Sequence, residues 1–106
     1  MKKKLLIKHV TGRMLFNTLS AGVSFDVEMA VEGWIFTVQQ VPADVADLVR
    51  GYKDELNLFY MEEENGVQYN KCWYYGRRTP DVRYDKADQV LTIGVDSRKA
   101  YTNEKV

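Results

Sequence analysis

The sequence predicts an α+β fold: an antiparallel β-sheet of hairpins with one main helix packed on one face. Three observations carry that expectation. Several stretches alternate apolar and polar residues with period two, the pair Asn65-Gly66 separates two of them, and a single segment, opened by Pro42, spaces its apolar residues as a helix does. A chain of 106 residues has room for one hydrophobic core, so residues 1–106 are expected to form a single domain without a linker.

Taken in order, residues 4–10 place Leu5, Ile7 and His9 on one side and Leu6, Lys8 and Val10 on the other, which reads as a strand. Thr11 and Gly12 form a turn, and the following Met14, Leu15, Phe16 and Leu19 suit a second strand or a short helix, with a lean to strand. Val23, Phe25, Val27, Met29 and Val31 alternate strictly with polar or small residues. A two-residue turn at Glu32-Gly33 would then pair Val31 with Trp34, Met29 with Phe36 and Val27 with Val38, giving a hairpin over 23–41.

Pro42 suits a helix start, where its missing N–H costs nothing. The stripe Val45, Leu48, Val49, Tyr52 and Leu56 predicts a helix over 43–56 lying across a sheet face. Asn65-Gly66 tolerates the positive φ of a type I′ turn, so 57–75 reads as the central hairpin. Carried along both strands, that turn sets Leu58 opposite Trp73, Tyr60 opposite Lys71, Phe59 opposite Cys72 and Met61 opposite Asn70. A third hairpin over 81–95 pairs Val82 and Tyr84 with Leu91, Ile93 and Val95 across Asp85 to Asp88, and a polar tail from about 97 is expected to fray.

Lys and Arg total 15, as do Asp and Glu, so no net field draws the molecule to nucleic acid or an anionic membrane. The apolar run after the N-terminal lysines stops at three residues, where a signal peptide needs roughly 7 to 15, and a membrane span needs about 20. A lone cysteine, Cys72, excludes an internal disulfide and fits a reducing cytoplasm. Cys72 and His9, the only cysteine and histidine, lack any signature of a catalytic pair; Cys72 is expected to pack. Glu62, Glu63 and Glu64 read as a solvated hairpin tip, Asp85 and Asp88 as turn chemistry, and the scattered glycines form no phosphate loop, so no metal or cofactor is expected. A non-enzyme is the resulting expectation.

The stretch from Lys71 to Arg78 departs from routine, because three consecutive aromatics, Trp73, Tyr74 and Tyr75, run into Arg77 and Arg78. Strand alternation sends Tyr74 away from Trp73 and Tyr75, so one set faces out or both sets are core. Aromatics and arginine are the residue types of binding hot spots, and Lys71, Trp73, Tyr75, Arg77, Arg78 and Arg83 are the candidate interaction residues. A protein partner is favoured, because five acids between Asp54 and Glu64 oppose a phosphate-tracking groove; a nucleic-acid-binding module on a local basic strip, or a regulatory module, is the alternative, and a small enzyme with an unrecognised site is the third reading. A homodimer is compatible with the same strip. In size, charge balance and lack of catalytic signature the chain resembles the small accessory proteins of phages and bacterial mobile elements, including anti-CRISPR inhibitors, although no particular residues carry that likeness. The resemblance implies an inhibitor that occupies a site on a host effector.

Overall fold

The computed structural model describes residues 2–100, and within them the chain is mostly antiparallel sheet with two short α-helices. One sheet has five strands in the order β2 (Met14–Asn17), β1 (Lys2–His9), β5 (Leu56–Glu64), β6 (Val67–Tyr75) and β9 (Ser97–Ala100). The other has four, in the order β3 (Phe25–Ala30), β4 (Gly33–Val38), β8 (Val90–Val95) and β7 (Asp81–Asp85).

The sheets pack on each other through their apolar faces. Leu5, Ile7, Leu58 and Tyr74 from the first meet Phe25, Phe36, Val38, Leu91 and Ile93 from the second in one buried cluster. Tyr74 is the central contact: its ring lies edge-on to Phe36 at 4.8 Å and to Trp34 at 5.6 Å, a favoured aromatic geometry. Arg98 covers the margin, with its guanidinium 4.7 Å from the Trp34 ring centre.

The helical part is smaller than its apolar stripe suggests. The helix α2 runs over Ala43–Gly51, and after a single 3-10 turn at Lys53–Glu55 the chain enters β5 at Leu56. Leu56 satisfies two periods at once, four residues after Tyr52 and two before Leu58, and sheet pairing with His9 claims it. Ala46 and Val49 are buried, and α2 packs against β2 and β7, edge strands of the two sheets. Between Thr11 and Gly22 both readings occur in succession, because β2 leads into α1 (Thr18–Ala21). Asn17 caps α1 by accepting from the Leu19 and Ser20 N–H groups, and Gly22 closes it at φ 70°. Thr18 is buried and its Oγ1 accepts the Leu5 N–H at 3.0 Å, tying this turn to β1.

Two hairpins pair differently from expectation. In β3–β4, Met29 faces Trp34 and Val27 faces Phe36, two residues from the predicted register, so the turn falls at Val31-Glu32. Gly33 is excluded from the turn because its Cα lies against β8, where a Cβ would sit 2.0 Å from the Val95 carbonyl oxygen. In β5–β6 the Asn65-Gly66 turn has both residues at positive φ and sets Glu64 opposite Val67 and Glu62 opposite Tyr69 as predicted. The register then shifts by one at a β-bulge around Asn70, itself at φ 50°, after which Phe59 faces Trp73 and Leu58 faces Tyr74.

The third hairpin pairs Val82 with Ile93 and Tyr84 with Leu91, and the Asp85 carboxylate accepts from the Ala87 and Asp88 N–H groups within its loop. The segment expected to fray from 97 instead forms β9, pairing with β6 from Tyr75↔Ser97 to Cys72↔Ala100. The remainder of that polar tail, including Tyr101 and Val106, lies outside the described residues.

Candidate interaction face on the five-stranded sheet

The one-residue shift at Asn70 decides which aromatics are core. A shift of one turns every following side chain to the other face. Tyr74 therefore joins Leu58 inside, while Trp73 and Tyr75 face outward beside Phe59 and Asn57. Strand β1 adds Lys4, Leu6 and Lys8 to this outer face, and β9 adds Lys99. Lys71, two residues before Trp73 on β6, shares it by alternation.

The rings form an ordered array. Trp73 and Tyr75 stack with centroids 4.4 Å apart, and Phe59 lies nearly parallel to Trp73 at 6.5 Å. The Trp73 Nε1–H donates to Asn57 Oδ1 at 2.9 Å, which satisfies the indole and fixes its rotation. Lys8 Nζ is 5.6 Å from the Phe59 ring centre. Phe59, Trp73 and Tyr75 are half-buried, and beside them Leu6 and Met61 form a floor at 7% and 3% exposure. The result is a basic, aromatic sheet face whose side chains are already held in place.

The candidate residues named from sequence fall into three places. Lys71, Trp73 and Tyr75 share the face just described. Arg77 and Arg78 lie on the loop that follows β6, where Asp96 accepts both backbone N–H groups, at 2.8 and 3.2 Å. Those bonds, Arg77 first, hold the Asp96 carboxyl down at about 2. The Arg78 guanidinium is 3.6 Å from Asp96 and 3.8 Å from Glu32, so it reaches toward the β3–β4 turn beside an open groove of about 440 Å³ that also includes Trp34, Pro80 and Asp81. Arg83 does not belong with the strip: it lies on β7 of the other sheet, 3.0 Å from Asp81.

Phe59, Asn57, Lys4, Lys8 and Lys99 complete the face and do not follow from the sequence reading, because an unbroken register pairs Phe59 with Cys72. The signal that could have found them is Asn70, a residue type that accepts positive φ, placed within a strand.

The groups considered for chemistry are separated or already committed. His9 pairs opposite Leu56 and Cys72 opposite Tyr60, four residues apart along β5, which is about 13 Å at ordinary strand rise. His9 Nε2 is 3.0 Å from Glu55 Oε2, its Nδ1 is 2.8 Å from Thr11 Oγ1, and its ring packs on Tyr52. Glu62 accepts from the Tyr60 hydroxyl and from Asn70, bonds that lower its carboxyl; burial first and this carboxylate second push the Tyr60 phenol upward. Among the described residues no cluster of His, Cys, Asp or Glu has the makings of a metal site, and no helix is long and apolar enough to cross a membrane. Comparison of the chain with protein-family models, curated proteins and solved structures finds no match.

Proposed function

We propose that the chain is a non-catalytic protein-binding module that docks through the outer face of its five-stranded sheet. The carrying observation is the Asn70 bulge, which gives the core position to Tyr74 and turns Trp73 and Tyr75 outward beside Phe59. Aromatics of this kind carry a large share of binding energy, and rings held by mutual stacking and by Asn57 lose little freedom on docking. Lys4, Lys8, Lys71 and Lys99 outweigh Glu63 on the same face and make the surrounding rim basic, so the fitting partner presents an apolar centre ringed by carboxylates. Arg77 lies on the loop that follows this surface, whereas Arg78 turns toward Glu32 and the groove of the four-stranded sheet. The biological use we favour is inhibition of a host effector by occupying its site, in the manner of phage or mobile-element proteins, in a reducing cytoplasm that suits the lone Cys72 thiol.

The lysines also support a second reading, single-stranded nucleic acid. Stacking bases would need open ring faces, whereas Trp73 lies against Tyr75 and Phe59 lies beneath Lys8. The test is titration of wild type and a Lys8→Glu/Lys99→Glu double variant against a captured partner at two salt concentrations. For a protein partner, charge reversal abolishes binding and acid-to-lysine changes on the partner restore it. A log-linear loss of affinity with salt, with no rescue, would assign the face to phosphates instead. Binding that is unchanged in the double variant would remove the face from consideration.

A further inference from the structure

The outer face of the four-stranded sheet is built in the opposite sense. Register places Ile35 and Thr37 of β4 beside Gly94 and Thr92 of β8, and the face is lowest at Gly33 and Gly94, where an open groove runs beside Ile35 and Asp81. Asp26 and Glu28 of β3 flank it on one edge, and Asp81 and Asp85 of β7 on the other, with Arg83 on β7 and Arg78 at the groove as the cations of this face. Asp81 is tied to Arg83 and Asp26 lies 3.6 Å from Lys3, while Glu28 has no ion-pair partner among the described residues. One outer face thus has bulky rings in a lysine rim, and the other a low centre in an acidic rim. With positive and negative residues equal at 15, no net repulsion separates two copies.

We infer that the occupant these two faces fit is a second copy of this chain, docked head to tail, aromatic face on acidic face. The inference rests on the aromatic face being a docking surface and adds its partner. Rings project into the low centre, and lysines meet carboxylates around the edge. Because the two patches differ, the contact is heterologous, and a stack keeps one unused aromatic face at one end and one unused acidic face at the other. Four strands spaced by about 4.8 Å and some six residues long give a face of about 400 Å², half the roughly 800 Å² per partner of a stable interface. The association is therefore weak, reversible, and in competition with any external partner of the aromatic face.

Sedimentation velocity from about 10 µM to 1 mM protein tests this with two variants, each checked for folding by circular dichroism. One carries Lys8→Glu and Lys99→Glu and keeps the acidic face; the other carries Glu28→Lys and Asp81→Lys and keeps the aromatic face. Wild type should associate, with at least about a tenfold loss of affinity between low and high salt. Each variant alone should stay monomeric, and mixing them should restore association, because the acidic face kept by one meets the aromatic face kept by the other and the two charge-reversed faces also complement each other. If either double variant misfolds, Lys8→Gln/Lys99→Gln or Glu28→Gln/Asp81→Asn replaces it, with the same pairing rule expected at reduced strength. A monomeric wild type at 1 mM overturns the inference, and so does self-association of the variant that keeps only the aromatic face, since that contact would be isologous. The same variant separates this inference from the docking reading. It should still bind an external protein partner if the aromatic face docks at all.

Discussion

Hairpin β3–β4 runs from Ala30↔Gly33 to Phe25↔Val38 without interruption, whereas hairpin β5–β6 changes register once, at Asn70. In the first, turn and core agree. In the second they do not: pairs set by Asn65-Gly66, continued unbroken, would bring Trp73 into line with Leu58 inside the molecule. The inner face accommodates one ring there, Tyr74, between Phe36 and Trp34, and the bulge absorbs the difference of one residue. A strong local turn and a well-packed core can thus both be kept, at the cost of one irregular residue, and that residue determines what the surface displays.

The sharpest way to break the contrast is to truncate neighbours on opposite faces. Tyr74→Ala should destabilise by about 3 to 5 kcal/mol, as other large core aromatics do, while Tyr75→Ala should cost about 1 kcal/mol and act mainly on binding; urea denaturation reads both. Equal losses would mean that the register shift at Asn70 does not separate the faces.

Gly33→Ala comes next. Its Cβ would collide with the Val95 backbone and its φ of 149° disfavours a side chain, so a loss of about 3 kcal/mol is expected. A near-neutral result would return Gly33 to the role of an ordinary turn residue. For the other hairpin, Gly66→Val should cost about 1 kcal/mol or more by forcing a β-branched residue to positive φ. Deleting Asn70 should be tolerated within about 1 kcal/mol, because it joins the two registers into one regular ladder without moving Trp73 to the other face.

Acid titration probes the loop beyond β6. The Asp96 carboxyl is held at about 2 in the folded chain, below its unfolded value near 3.9, so its contribution is fully present above about pH 4 and disappears as pH falls through 2. Asp96→Asn should flatten stability against pH in that window, as followed by fluorescence. Smallest of all, Arg77→Ala with Arg78→Ala should change stability by no more than about 0.5 kcal/mol per site, since the backbone N–H groups that Asp96 holds are retained.

Much of this fold is legible in the residues, and the gaps share a cause. The three hairpins and the turns at Asn65-Gly66 and Asp85 follow from alternation and turn chemistry, both local properties. The slip of two in β3–β4 leaves Val27 and Phe36 on the expected face, because a shift of two preserves alternation. The bulge, the full aromatic face and β9 depend on partners distant in sequence. Ser97, Arg98 and Lys99 look like solvated tail until β6 supplies the pairing and Trp34 a ring for Arg98. Leu56 likewise reads as helix until His9 pairs with it. Of the candidate site, the residues name Trp73 and Tyr75 without choosing their side, and Arg83 joins them only through proximity along the chain.

The strand order carries a consequence for how the chain reaches this state. β1 is an inner strand of its sheet, yet its partner β5 lies some fifty residues further on, and β4 likewise depends on β8. Closing such long loops before any pairing is rewarded makes folding slow, in the millisecond-to-second range of strand-rich domains. During synthesis, β1 and the β3–β4 hairpin emerge well before the strands that cover them. The nascent chain therefore exposes Leu5, Ile7, Phe36 and Val38 to its surroundings until Leu91–Val95 has left the ribosome, and in that interval it is most open to chaperones and to mispairing with its own kind.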